Sequence, residues 1–289
     1  MADGFFEYPA DGGRAEAYRA DPRSGDAVGQ VIVVHEVWGF SGFIKDACGR
    51  LAREGFRAVA PVLYWRDKEL FSRKRMVEGM KVVWDLSLDE RYVSEKLDAA
   101  LDQGRASPET RSMLTQLYDG GFRTKLQHDL LSLARRLRAE DPKLPMGVVG
   151  FSMGGKLALQ LSAEFPDVSA CVAYSSEPAL GGAARKIRSP TLLLYGGEDK
   201  FMMRGLPSFV GDLIEGGTEL ALKAYPSAGH EFFDRSRRRE YRVAAAEDAW
   251  ATAMAFLKKE LSVGWEAGAA RGSRTKQKNS GRPSADPSV

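Results

Sequence analysis

One stretch constrains this chain more than any other: Pro145-Met146-Gly147-Val148-Val149-Gly150-Phe151-Ser152-Met153-Gly154-Gly155-Lys156-Leu157-Ala158-Leu159. A short apolar run suited to a buried strand leads into Gly150-Phe151-Ser152-Met153-Gly154, which has the G-x-S-x-G spacing, and a helix-forming segment follows at once. A serine on so sharp a strand-to-helix turn sits in a strained backbone region, so the positions two before and two after it must be small. Its hydroxyl then projects over the sheet edge, at a helix N-terminus whose N–H groups can hold a developing oxyanion. The spacing alone also fits a plain glycine-rich turn; the strand before and the helix after favour the elbow.

The rest of the chain is readable around that elbow. Phe5-Phe6-Glu7-Tyr8 and Ala15-Glu16-Ala17-Tyr18-Arg19-Ala20, separated by Asp11-Gly12-Gly13, predict an N-terminal hairpin forming the antiparallel edge of a larger sheet. Gln30-Val31-Ile32-Val33-Val34 is the continuous β-branched run of a central strand covered on both faces. It ends in His35-Glu36-Val37-Trp38-Gly39, at the strand end where open α/β sheets place ligands. An amphipathic helix over 42–54 and a strand over 56–61 complete a parallel crossover. About 80 residues then separate Pro61 from the elbow strand, with helical spacing through 89–104, 108–118 and 123–139. The part over about 67–122 predicts crossover helices and an insertion placed to cover the site as a cap. Strands at 168–174, 190–195 and 220–225, and helices at 206–215 and about 242–260, finish a run of alternating units. That order predicts an α/β fold, a doubly wound, mostly parallel sheet in one domain over residues 1–263.

From about Gly264 the chain is rich in glycine, serine, proline and basic residues, with too few apolar groups to offset ordering entropy, which predicts a disordered basic tail over 264–289. Arg271, Arg274, Lys276, Lys278 and Arg282 stand there against Glu266 and Asp286, a surplus equal to the whole formal charge of +3. The body is therefore neutral and offers no concentrated basic face for nucleic acid. No stretch is long and apolar enough for a membrane span, and the first residues lack the regions of a signal peptide, so a cytoplasmic protein is expected; a monomer is the separate expectation for its assembly. The two cysteines, Cys48 and Cys171, lie in apolar helical and strand contexts that suit buried free thiols.

An unassisted serine hydroxyl is a poor nucleophile and needs a base, itself oriented by a carboxylate. The chain has three histidines. His128 lies within helical sequence and suits a solvated face; His35 ends a buried strand and suits a structural or pocket role. His230 lies in the loop Pro226-Ser227-Ala228-Gly229-His230 directly after the last strand, which makes it the base. Asp199, reached from its strand through Gly196-Gly197, is the orienting acid, with its neighbour Glu198 as the alternative. Neither zinc-ligand spacing nor a nucleotide-binding glycine fingerprint occurs, so no metal or organic cofactor is called for.

The chain order Ser152, Asp199, His230 is that expected of α/β-hydrolases. With His35-Glu36-Val37-Trp38-Gly39, Leu63-Tyr64-Trp65-Arg66, Gly196-Gly197-Glu198-Asp199 and Ala228-Gly229-His230, the chain resembles the dienelactone hydrolase family over about residues 5–260. The resemblance implies an α/β-hydrolase fold, Ser152 as nucleophile, His230 as base, Asp199 as its orienter, and the N–H groups of Val37 and Met153 as oxyanion hole. Glu36 matches a family glutamate that helps to deprotonate a cysteine nucleophile; here that position holds serine, a much weaker acid, and Glu36 is left to shape the site. Dienelactone specialists also grip a substrate carboxylate with two arginines. Arg66 fits the first position, but Asp234 stands at the second, beside Arg235, and would repel a carboxylate. The run Arg235-Ser236-Arg237-Arg238-Arg239 reads as a solvated turn. Trp38, Tyr64, Trp65, Phe232 and Phe233 follow strand ends and suit either a pocket lining or core packing.

The expected enzyme is thus a serine hydrolase of small-molecule carboxylic esters or lactones, with Glu36, Trp38, Tyr64, Arg66 and Phe232 beside the substrate. The same triad would also serve acyl transfer, thioester or peptide cleavage; a non-catalytic binding protein on this fold would be expected to lack a triad member.

Overall fold

The computed structural model describes residues 3–87, 90–177 and 181–277. Among them the strands are β1 (Gly4–Ala10), β2 (Gly13–Ala20), β3 (Gly29–Val34), β4 (Phe56–Pro61), β5 (Met146–Phe151), β6 (Val168–Tyr174), β7 (Thr191–Gly196) and β8 (Leu220–Tyr225). They form one sheet in the order β1-β2-β4-β3-β5-β6-β7-β8. β2 runs antiparallel to both β1 and β4, and the remaining neighbours are parallel. The N-terminal hairpin is thus the antiparallel edge that the sequence predicts.

Alternation along the strands explains why the apolar runs are continuous. Every residue of β3 is buried, Ile32 and Val34 facing one core and Val31 and Val33 the other. On the second face lie α1 (Gly42–Arg53) and the buried positions of α8 (Val243–Gln277); on the first lie α5 (Gly120–Glu140), α6 (Met153–Glu164) and α7 (Lys200–Glu215). A sheet covered on both sides needs apolar side chains pointing both ways, which a half-exposed strand does not. Cys48 and Cys171 are free thiols in opposite cores, and burial pushes both up, Cys171 to about 12.

The segment between β4 and β5 holds α2 (Arg73–Val82), α3 (Ser94–Gln103) and α4 (Pro108–Leu117) before the crossover helix α5. Ser107 and Asp119 cap α4 and α5 by accepting from the N–H groups of Thr110 and Phe122. α2 packs on α4 so closely that a Cβ at Gly79 would lie 2.6 Å from the Met113 side chain.

Helices α2, α7 and α8 differ most from the sequence reading. α2 carries charge on most of its surface, burying only Met76 and Gly79, so its apolar stripe is too thin to read as a helix. α7 starts at Lys200, where Asp199 caps it, although Pro207 marks a later start because proline favours a first turn. The backbone of α8 continues to Gln277, past the 263/264 boundary of the expected tail. Residues 278–289 of that tail lie outside the described residues.

Candidate active site

β5 delivers Ser152 into a tight turn with φ 52° and ψ −116°, a conformation rare for any residue with a Cβ. Glycines make the turn possible. A Cβ at Gly150 would lie 2.1 Å from the Gly154 carbonyl oxygen, and one at Gly154 would lie 2.3 Å and 2.4 Å from the carbonyl oxygens of Val34 and His35. The Ser152 N–H donates to the Tyr174 carbonyl at 2.8 Å, tying the elbow to β6. The strain of the serine is therefore held from three sides by main chain.

Two further loops bring up the partners. After β7, Gly196 and Gly197 let the chain run against the loop that follows β8: a Cβ at Gly196 would lie 2.3 Å from the Gly229 carbonyl, and one at Gly197 would lie 2.9 Å from Pro226. The Gly197 N–H donates to Tyr225 and the Glu198 N–H to Ala228, so the acid loop and the histidine loop are joined by backbone bonds. His230 Nε2 stands 2.7 Å from Ser152 Oγ, and His230 Nδ1 stands 2.5 Å from Asp199 Oδ2. Asp199 Oδ1 accepts from the Met202 N–H, which fixes the carboxylate in the first turn of α7. Of Asp199 and Glu198, it is Asp199 whose carboxylate reaches His230.

The loop after β3 is fixed just as firmly. His35, fully buried, presents Nδ1 to the Glu36 carbonyl at 2.6 Å and accepts the Leu63 N–H at Nε2; burial lowers it to about 4, so it stays neutral and structural. Glu36 Oε2 accepts the Trp38 N–H at 2.5 Å, and the Glu36 carbonyl accepts the Gly39 N–H. The Tyr64 hydroxyl donates to the Val37 carbonyl at 2.7 Å and lies 3.9 Å from Met153 Sδ, bridging the two residues whose N–H groups the sequence reading assigns to the oxyanion hole. Met153 opens α6, where first-turn N–H groups have no intrahelical acceptor. Tyr64 is thus a clamp on this loop, a role that sequence position alone does not reveal.

Glu36 is buried, and burial first, then the charge of Glu231, raises it to about 8, against the Trp38 N–H and Arg237. At neutral pH it is mostly protonated. Asp234 is also buried, accepting from the Ser236 N–H at 2.8 Å. Arg237 lies 3.4 Å from Glu231 and 3.6 Å from Asp234. The solvated arginine turn of the sequence reading holds for Arg235, which pairs with Asp46 in the open, but not for Arg237, which folds inward. Side-chain direction in an irregular turn follows no fixed period, and five polar residues in a row give no apolar mark to say which side is inner.

Two expected substrate residues do not join the site. Arg66 is engaged by Asp129, which is fully buried on α5, and also donates to the Asp11 carbonyl at 2.7 Å. Trp65 Nε1–H donates to the same Asp129 at 2.8 Å. A signal existed: Asp129 is three positions from Leu126 and four from Leu133, on the apolar stripe of its helix, where a buried carboxylate requires a cation. Phe232 is fully buried in the second core against Tyr225 and Phe233, because the chain turns back beneath the sheet directly after His230. Trp38, Tyr64 and Glu36 do face a cavity. One space of about 160 Å³ is bordered by His230, Trp38, Met80 and Trp84, and by the charged residues Glu231, Glu240, Arg91 and Arg237. A larger one of about 850 Å³ shares Trp38, Met80 and Arg237 with it.

A strand-borne serine elbow, an imidazole after the last strand and a carboxylate between them, on this sheet order, define an α/β-hydrolase. The model of the dienelactone hydrolase family matches residues 15–261, and the chain belongs to that family and is a hydrolase. A protein of Saccharolobus solfataricus named "Putative carboxymethylenebutenolidase" is 34% identical over 260 residues, covering 87% of this chain and 96% of its own. The dienelactone hydrolase structure from Anabaena variabilis superposes with a TM-score of 0.60 at 19% identity, over 90% of this chain and 98% of that one. The Pyrococcus horikoshii acylaminoacyl peptidase shares the fold at TM-score 0.61 and 14% identity, over 90% of this chain and 42% of that one. Among the described residues no helix is long and apolar enough to cross a membrane.

Proposed function

We propose that this chain hydrolyses carboxylic esters or lactones through a Ser152–His230–Asp199 triad. The observation that carries the reading is the unbroken relay from Ser152 Oγ through both ring nitrogens of His230 to Asp199, at 2.7 Å and 2.5 Å. With Asp199 ionised, Nδ1 carries a proton and Nε2 is free to accept the serine proton. Ser152 Oγ attacks the acyl carbon, the N–H groups of Val37 and Met153 receive the oxyanion, and His230 returns its proton to the leaving alcohol oxygen. Water, deprotonated by the same imidazole, then attacks the acyl-serine and releases the acid. Asp199 stabilises the imidazolium in both steps without being protonated itself.

Glu36 enters as a protonated side chain that holds the oxyanion loop, since an alcohol nucleophile offers no thiolate to generate. We place the enzyme in the cytoplasm, a reducing compartment that suits its two buried free thiols. The test is turnover of p-nitrophenyl acetate together with fluorophosphonate labelling. Labelling is expected at Ser152, with label and turnover both abolished in Ser152→Ala. A folded protein that neither labels at Ser152 nor turns over the ester refutes the proposal.

A further inference from the structure

The space next to His230 is small, about 160 Å³, enough for an acyl carbon and its immediate substituents. Beyond Trp38, Met80 and Arg237 opens the chamber of about 850 Å³. Its walls are chiefly hydrocarbon: Phe40 and Phe43 from the loop after β3 and the start of α1, Tyr64 and Phe71 stacked at 4.6 Å, and Met76 and Met80 from α2. Methionine and aromatic side chains together suit a flexible or planar hydrocarbon guest.

The inner end holds charges of both signs. Arg237 lies between Glu231 and Asp234 with Glu36 close by, and Arg91, which donates to the Leu86 carbonyl, and Glu240 border the same inner space. Farther out, Lys68 pairs with Glu16 at 2.7 Å and Arg235 with Asp46, while Arg73 is exposed at the rim. A substrate carboxylate entering beside the relay would meet Glu231, Asp234 and Glu240 against the two guanidinium groups of Arg237 and Arg91, an acidic surplus.

We propose that this chamber binds the hydrocarbon portion of an uncharged ester or lactone, so that the enzyme selects neutral substrates with a bulky aliphatic or aromatic group and rejects those with a carboxylate on that group. The inference rests on the hydrolase reading above and adds its substrate class. It also assigns roles to two features which the catalytic relay does not use: α2 as the hydrocarbon wall, and the Glu231–Arg237–Asp234 cluster as the filter against anions.

The experiment compares kcat/KM for p-nitrophenyl esters from acetate to octanoate, for alkyl esters of acetate from methyl to octyl, and for an octanoate analogue ending in a carboxylate. A rise of at least tenfold with chain length is expected in one of the two series, and at least a tenfold loss for the carboxylate-ended analogue. Gly42 borders the chamber, and a Cβ there meets nothing within 4 Å. In Gly42→Leu the octyl-to-acetyl ratio within the better series should therefore fall by at least fivefold. Glu231→Gln combined with Asp234→Asn should raise the anionic-to-neutral ratio by at least fivefold. Each is a ratio taken within one preparation, so partial misfolding does not move it. Acetate turned over with flat chain-length series overturns the chamber, and equal rates for neutral and anionic octanoates overturn the filter. In both cases the triad stands. No ester turned over, and no label at Ser152, overturns the hydrolase reading itself.

Discussion

Replacing Glu36 by glutamine removes one ionisable group while keeping an amide oxygen able to accept the Trp38 N–H. The carboxyl is raised from an ordinary 4.5 to about 8, chiefly by burial. Below pH 4.5 it is protonated in both folded and unfolded chains. Between 4.5 and about 8 the folded chain keeps a proton that the unfolded chain has released, so stability falls as pH rises across that window and levels off above it. The loss amounts to roughly 3–5 kcal/mol, the upper figure being the full window at about 1.36 kcal/mol per pH unit. Glu36→Gln lacks this dependence. Urea unfolding of both proteins at pH 5, 6.5, 8 and 9.5 isolates the effect, because the other titrating groups are common to the two. The stability difference should shift in favour of the variant by several kcal/mol from pH 5 to 8 and then stay constant. Glu36→Ala, by contrast, leaves the Trp38 N–H without its acceptor, at about 1–3 kcal/mol. It should also lower kcat for p-nitrophenyl acetate, by loosening the Val37 peptide, far more than Glu36→Gln does. Parallel stability curves for wild type and glutamine variant refute the argument that this carboxyl is held protonated.

Two further outcomes test other parts of the structure. Gly154→Ala places a methyl group 2.3 Å from the Val34 carbonyl oxygen, forcing the elbow away from β3; a loss of about 1–3 kcal/mol in thermal unfolding and a much slower fluorophosphonate reaction are expected, and unchanged values for both contradict the packing described. Arg66→Ala strands the buried Asp129 carboxylate, on the order of 3 kcal/mol, with KM unchanged for neutral and anionic esters alike; an anion-specific rise in KM at unchanged stability puts Arg66 back in the site.

The sheet, its covered central strands and the meeting of Ser152, His230 and Asp199 were legible because each leaves a local mark. A β-branched run such as Gln30–Val34 fits few positions other than a buried strand, and the elbow needs its glycines at fixed offsets. The histidine was legible from its place after β8. The residues around the substrate space were not. Arg66 and Phe232 stand where a pocket residue would, yet one is drawn to a carboxylate 63 positions away and the other to the far core. Arg237 shows the reverse error, a charged residue in a charged run that folds inward. Side-chain direction in irregular turns is settled by partners distant in sequence, which no local pattern carries.

The groups that form the relay all stand at strand ends, held by main-chain contacts between neighbouring loops, whereas Met76 and Met80 belong to a helix inserted between β4 and β5. Such a division lets selection work on the two at different rates. An altered or exchanged α2 would change which molecules are admitted while the elbow, the imidazole and its acid keep their mutual geometry. Descendants of one scaffold can in this way diversify in diet without relearning their chemistry.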